Sequence, residues 1–340
     1  MKIIRRLIIP FSLLFIAYIH AFCLDSDCNI AKKESDQSIQ NRKNAIEIYG
    51  QLSVNGTQLV GESGEPVILR GVSFGWHNWW SGYYNANAVR QLTDDWNSTV
   101  VRAAIGVEPD NAYLQNPELA MNCVTAVVDA AIEKGVYVIL DWHSHSIQLE
   151  PARTFFRTIA EQYKEYPNII YELYNEPVND SWQQVKAYSE ELIKTIRAID
   201  KKNVILVGSP HWSQDVHLAA DDPITGYDNL MYTLHFYAGT HKKWLRDRAD
   251  YAVSKGLPLF VSECGGMDAS GNTNLDVKEW DRWVQWMEDN KMSWVAWSVS
   301  GKDETCSMLK TTTDPSSNWT MDDIKPWGII VRDNLIEMNK

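Results

Sequence analysis

The chain is poor in cysteine, in phosphate-binding glycine patterns and in positive charge, and each shortage narrows its function. Five cysteines occur and no two form a CxxC pair, which argues against a zinc site held by cysteine. Neither GxGxxG nor GxxxxGK followed by Ser or Thr appears, so the common nucleotide-binding loops are missing. Acidic residues outnumber Lys and Arg by 44 to 32, for a net charge of −12. That disfavours nucleic acid and anionic membranes as partners and leaves neutral polysaccharide open. The one long apolar run, 7–19, follows Lys2, Arg5 and Arg6 and precedes Ala21-Phe22-Cys23, the pattern of a secretory leader cut after Cys23. An uncleaved anchor is the alternative, but Pro10 and His20 interrupt a span of marginal length for a bilayer. Phe22 stands where a lipoprotein signal would need a small residue. The expectation is a secreted chain with no membrane attachment once residues 1–23 are removed.

Cleavage leaves Cys28, Cys123, Cys264 and Cys306, whose three possible pairings stay open and which are too few for a disulfide scaffold. Sequons at Asn55, Asn97, Asn179 and Asn318 are glycosylation acceptors only in a eukaryotic secretory route. What the chain has in excess is tryptophan, fifteen in all, within a 45% hydrophobic composition. Indole faces fill cores, and they also stack on pyranose rings.

Residues 24–44 are polar and read as a loose tail, with folding from Ala45 onward. The stretch 49–66 alternates around Asn55-Gly56 and reads as a hairpin. From Val67 on, eight short apolar runs recur: 67–73, 99–105, 136–142, 169–175, 204–208, 231–236, 259–263 and 293–298. Longer amphipathic segments separate them. Strands apolar on both faces that alternate with helices form a parallel sheet, and eight units in this length predict a closed (β/α)8 TIM barrel.

In such a barrel chemistry sits at the C-terminal strand ends. Reading along those ends in order gives His77 after the first, Arg102 within the second, Asp141-Trp142-His143, Asn175-Glu176, His211-Trp212 shortly after the fifth, His235-Phe236-Tyr237, Glu263 and Trp297. Polar groups that would be costly in the core therefore gather at one rim. Glu176 and Glu263, at ends four and seven, form a pair that can flank a glycosidic bond, one as acid and one as nucleophile. Glu172 has the same strand parity as Glu176. At about 3.3 Å per residue it lies roughly 13 Å deeper and reads as an internal group paired with Arg102 or another inward base rather than as a catalyst. Cys264, beside Glu263, should point away from the barrel axis.

Asn175-Glu176-Pro177, Asp141-Trp142-His143, His235-Phe236-Tyr237-Ala238, Ser262-Glu263-Cys264-Gly265 and Trp297 together resemble glycoside hydrolase family 5, most of all its cellulase branch. Arg70-Gly71-Val72-Ser73, Val101-Arg102-Ala103-Ala104, Trp212-Ser213-Gln214-Asp215 and Lys302-Asp303-Glu304-Thr305 follow in that branch's order. The resemblance implies a retaining endo-β-1,4-glucanase with Glu176 as acid/base and Glu263 as nucleophile. It implies that Arg102 and Tyr237 bond the nucleophile, Asn175 holds the sugar 2-hydroxyl, and His143 and His235 line the cleavage subsite. Trp297 would support the sugar on the non-reducing side, Trp212 would stack beyond the scissile bond, and Lys302 and Glu304 would bind hydroxyls further along. His77 joins this set from the first strand end. Trp76, Trp79 and Trp80 exceed the tryptophan content of the family's first loop.

For this chemistry Arg102 and Tyr237 should lower the Glu263 pKa, while the Glu263 charge and desolvation raise that of Glu176. No cofactor is required, and a monomer suffices. Sister branches act on mannan, xylan or mixed-linkage glucan with the same carboxylates. A rival reading takes Asp141-x-His143-x-His145 as the seed of a metal-dependent amidohydrolase site. A third is a non-catalytic carbohydrate-binding protein that uses the same groove. His145, His217 and His241 read as loop or packing histidines.

Overall fold

The computed structural model describes residues 43–316 and 318–340. The leader, nearly all of the expected tail and Cys28 lie outside the described residues. A short helix at Ala45–Tyr49, not foreseen from sequence, opens the described chain. Asn44 and Glu47 make it a helix: Asn44 Oδ1 accepts from the Glu47 N–H and Glu47 Oε2 from the Asn44 N–H, both at 2.9 Å, a reciprocal capping box. Next comes the hairpin of β1 (Ser53–Asn55) and β2 (Gln58–Val60), turning through Gly56 at φ +59°.

Eight parallel strands follow: β3 (Arg70–Phe74), β4 (Val100–Gly106), β5 (Tyr137–His143), β6 (Ile169–Glu172), β7 (Val204–Val207), β8 (Leu230–Tyr237), β9 (Leu259–Gly265) and β10 (Trp294–Val299). Each pairs with the next in sequence, and β10 closes on β3. The expected TIM barrel is therefore the observed fold.

Strand alternation sorts each strand between two cores. On β5, Val138, Leu140 and Trp142 join the outer layer under the helices. Tyr137 and Ile139 join an inner cluster with Leu52, Leu59 and Leu69 from the segment that plugs the barrel's N-terminal end. Continuing that inward parity, Asp141 and His143 arrive at the opposite, open end. Cys264 lies in the outer layer, as alternation requires. Cys123, Cys264 and Cys306 are all free and buried, so no disulfide links these three.

β6 departs from expectation. Its ladder ends at Glu172 rather than Asn175, and the consecutive residues Leu173 and Tyr174 both pack into the outer layer, which a continued strand could not do. The parity argument linking Glu172 to Glu176 therefore fails.

The plug is tied to the barrel wall at Gly135, which ends helix Pro117–Lys134 in a left-handed conformation, φ +64°. A Cβ there would stand 2.2 Å from Asn44 Cγ, and the Gly135 carbonyl accepts from the Ile46 N–H at 2.9 Å. Asn44→Ala removes the cap and is expected to cost about 1 kcal/mol. In a barrel of this size that lowers the midpoint of thermal unfolding by about 2–4 °C, measurable by calorimetry.

Candidate active site

Arg102 organises the rim. Carried inward on β4 and fully buried, it directs Nη1 to Glu263 Oε2 at 2.9 Å, Nε to Glu172 Oε2 at 2.7 Å and Nη2 to Asn175 Oδ1 at 2.8 Å. Asp141 Oδ2 also lies 2.9 Å from Nη2 and 2.6 Å from His143 Nδ1. One guanidinium thus gathers three carboxylates, using the fixed fork geometry that lysine lacks. The Tyr237 hydroxyl donates to the other oxygen of Glu263 at 2.7 Å, so both oxygens of that carboxylate are held.

Glu176 is held differently. Its backbone N–H bonds the Ser144 carbonyl at 3.2 Å, and that of Asn175 bonds the Trp142 carbonyl at 3.2 Å, so the chain beyond β6 stays anchored to β5. His235 Nδ1 lies 3.0 Å from Glu176 Oε1, and its Nε2 lies 3.0 Å from Ser262 Oγ. Ser262 Oγ donates to Glu172 Oε1 at 2.6 Å, so the hydroxyl must accept from His235 Nε2–H. Nδ1 then either donates to the Glu176 carboxylate or accepts from its carboxyl, and in both forms one proton lies between His235 and Glu176. Glu172 is paired with Arg102 as expected, but it is not remote. It and Glu176 flank a single imidazole, because Ser262 bridges the gap that backbone spacing suggested.

Glu176, His235 and Glu263 bring one polar atom each within 4.8 Å of one another. They are the one such trio of possible metal ligands among the described residues. Each is already engaged in the hydrogen bonds above. Asp141 Oδ2 bonds both Arg102 and His143, and Asp141-x-His143-x-His145 does not form such a group among the described residues.

The ionisation order of the two carboxyls reverses the sequence expectation. Burial alone would raise Glu176, but hydrogen bonds from His145 and His235 outweigh it and hold the carboxyl at about 2. Burial, then the nearby Glu176 charge, raise Glu263 against Arg102, His235 and Tyr237. His235 rises to about 9: burial opposes this, and bonds to Glu172 and Glu176 overcome it. The two shifts thus run opposite to the sequence expectation, and the proton that expectation placed on Glu176 is shared across the His235–Glu176 bond.

The remaining expected residues divide. His143 and Trp297 line the cleft with their rings stacked at 5.2 Å and 5°. Lys302 and Glu304 form an ion pair of 2.5 Å on its wall. Trp212 is 46% exposed, and its backbone N–H bonds the Pro177 carbonyl at 3.0 Å, which places it directly beyond Glu176. His77 does not reach the cleft. It starts a short helix, His77–Trp80, and its Nδ1 accepts from the Gly106 N–H at 3.0 Å. Burial lowers its pKa to about 4, so it acts as a neutral packing residue. The cleft position belongs to its neighbour Trp76, whose indole meets His143 edge-on at 4.2 Å. Gly106 leaves room for this ring, since a Cβ there would stand 2.8 Å from Trp76 Cε3. Trp79 and Trp80 also line the cleft. Sequence reasoning missed Ser262, which sits one residue before a candidate nucleophile, and His145, whose Nε2 is 3.4 Å from Glu176 Oε2.

A closed parallel barrel that presents two facing carboxylates in an aromatic-lined cleft has the architecture of a barrel glycoside hydrolase. The chain belongs to the cellulase family, glycosyl hydrolase family 5, whose profile matches residues 60–303. It is 39% identical over 293 residues to an endoglucanase of Clostridium saccharobutylicum, covering 84% of this chain and 65% of that protein. It thus spans just under two thirds of that relative's length. A solved structure from Cytophaga hutchinsonii superposes with a TM-score of 0.85 at 47% identity, over 87% of this chain and 98% of the other. The catalytic domain of Thermobifida fusca endoglucanase Cel5A, solved as a variant in complex with cellotetraose, gives a TM-score of 0.82 at 30% identity, over 86% and 100%.

Proposed function

We propose that the protein is a retaining endo-β-1,4-glucanase in which Glu263 attacks the anomeric carbon and Glu176 serves as acid and then base. The observation that carries this reading is that one oxygen of Glu176 and one of Glu263 lie within 4.8 Å of each other. That agrees with the ~5–5.5 Å of double displacement rather than the ~6.5–9.5 Å needed to seat a water for inversion. Glu263 is the nucleophile because Arg102 and Tyr237 fix both its oxygens. Glu176 is the acid because it shares a proton with His235. Moving that proton across the 3.0 Å bond makes Glu176 a donor to the leaving oxygen, and it also removes the charge that raises Glu263. After the glycosyl-enzyme forms, the Glu176 carboxylate takes a proton from the attacking water.

β-1,4-Glucan is the substrate favoured by the cellotetraose-bound relative and by the endoglucanase relatives. Aromatic side chains suited to pyranose rings are at hand: Trp297 and Trp79 line the cleft wall, and the exposed Trp212 is tied through its backbone to Pro177, next to Glu176. A monomer suffices for this reading, and the leader pattern at 1–23 supports secretion. Purified protein is expected to release reducing ends from carboxymethylcellulose with a concurrent fall in viscosity. Reducing ends without loss of viscosity would replace internal cleavage by end-wise action. Binding without product would favour the non-catalytic reading.

A further inference from the structure

Glu176 meets two imidazoles, and the strand-end pattern accounts for only one. His235 is buried and bonds Oε1. His145, on the turn after β5, stands 3.4 Å from the other oxygen, Oε2, with its side chain 42% exposed on the cleft wall. The turn is held by Glu108, two residues beyond β4. A single oxygen, Glu108 Oε1, accepts from the backbone N–H groups of His145 and Ser146 at 3.1 and 3.2 Å and from Ser146 Oγ at 2.9 Å. Trp76 supports the ring from the loop after β3, centroids 5.5 Å apart, and His143 lies 6.3 Å away on β5. The charged groups facing His145 are thus Glu176, Glu108 and, further off, Glu263, with His143 and His235 beyond.

We propose that His145 is a positioning residue for Glu176, whose imidazolium holds that carboxylate ionised and so sets the acid limit of hydrolysis. The proposal rests on the glycosidase reading above. For cleavage the Glu176 O–H bond must break toward the glycosidic oxygen as the C1–O bond breaks and a bond from C1 to Glu263 forms. The proton reaches Glu176 from His235 Nδ1. With His145 neutral, that shift exchanges one ion pair for a neutral hydrogen bond. When His145 is charged, the shift also forfeits the His145–Glu176 pair, and the donor form of Glu176 becomes scarcer. Protonation of His145 on the acid side therefore withdraws the acid catalyst, even though the solution is richer in protons. The surroundings favour that protonation: burial opposes it, but the bond to Glu176 and the charges of Glu176, Glu108 and Glu263 together raise the imidazole from its ordinary value.

The test is kcat/KM against pH for wild type and His145→Gln on two aryl β-cellobiosides, one with a poor leaving group and one with 2,4-dinitrophenolate, which departs without a proton. On the poor leaving group the acid limb of His145→Gln is expected to move down by about half a pH unit or more, the scale of a partly exposed pair. On the dinitrophenyl substrate the two proteins should coincide. An unmoved limb, or the same displacement on both substrates, would overturn the proposal. NMR titration of the His145 ring in wild type and Glu176→Gln provides an arm independent of turnover. The midpoint is expected to fall when Glu176 loses its charge, and an unchanged midpoint would refute the coupling. Wild type inactive on both cellobiosides sinks the glycosidase reading itself, whereas active wild type with an unmoved limb sinks only the role of His145.

Discussion

Glu263→Gln is expected to retain the folded barrel while losing activity on carboxymethylcellulose by about 10⁴-fold or more, the scale set by removing an enzymic nucleophile. The substitution keeps the shape of the side chain and leaves Arg102 bound to Asp141 and Glu172, so thermal unfolding should change little. Loss of activity alone would not say which carboxylate attacks; the configuration of a rescued product does. In Glu176→Ala, a dinitrophenyl cellobioside needs no acid to form the glycosyl-enzyme, and azide needs no base to release it. Two inversions then give the β-glycosyl azide. In Glu263→Ala, azide enters from the side the carboxylate vacated, and one inversion gives the α-azide. Proton NMR of the anomeric centre distinguishes the two. The opposite pairing of variant and product would exchange the roles of Glu176 and Glu263.

The barrel was legible because its strands are buried on both faces and so appear as apolar runs, and each of the eight runs overlaps an observed strand. The rim was legible for the complementary reason. Polar residues that end an apolar strand can be tolerated at its open end, where Asp141, His143 and Glu263 are found, with Arg102 deeper on β4 beneath them. Beyond the strands no regular alternation fixes where a side chain points. Leu173 and Tyr174 are apolar and were read as more strand, yet both turn toward the helices, so depth along β6 was misjudged and Glu172 was placed too far from Glu176. His77 follows the first strand, but its loop coils into a helix that turns the imidazole onto Gly106, and Trp76 takes the cleft. His145 carries no local signal at all. Its place beside Glu176 depends on Glu108, thirty-seven positions earlier, and on the closure of β4 against β5. The ionisation order was hidden for the same reason, since Glu176 is lowered by two histidines brought from distant segments, His235 on β8 and His145 on the turn after β5.

Arg102→Leu is expected to lower stability by about 3–5 kcal/mol, the cost of stripping the partner from a buried charge, and the midpoint of unfolding by about 10 °C. The leucine would fill much of the space but leave Asp141, Glu172 and Glu263 without the guanidinium that lies 2.7–2.9 Å from each. The deficit should depend on pH with a definite sign. In the wild type, burial pushes the Glu172 carboxyl up, but Arg102 and His235 overcome this and hold it at about 2, below its value of about 4.3 in an unfolded chain. Its contribution is therefore present above about pH 4 and is lost as pH falls toward 2. In the variant, burial acts with Arg102 gone, so the carboxyls are pushed up and fold best when protonated. The gap between the two proteins should be widest near neutrality and narrow below about pH 4. Calorimetry at both ends of that range decides the matter: an equal gap at pH 4 and pH 7 would mean that Arg102 stabilises by packing rather than by charge. Arg102→Lys separates charge from geometry. It keeps a cation but cannot reach three carboxylates at once, so it should recover part of the stability while leaving Glu263 poorly oriented and activity low.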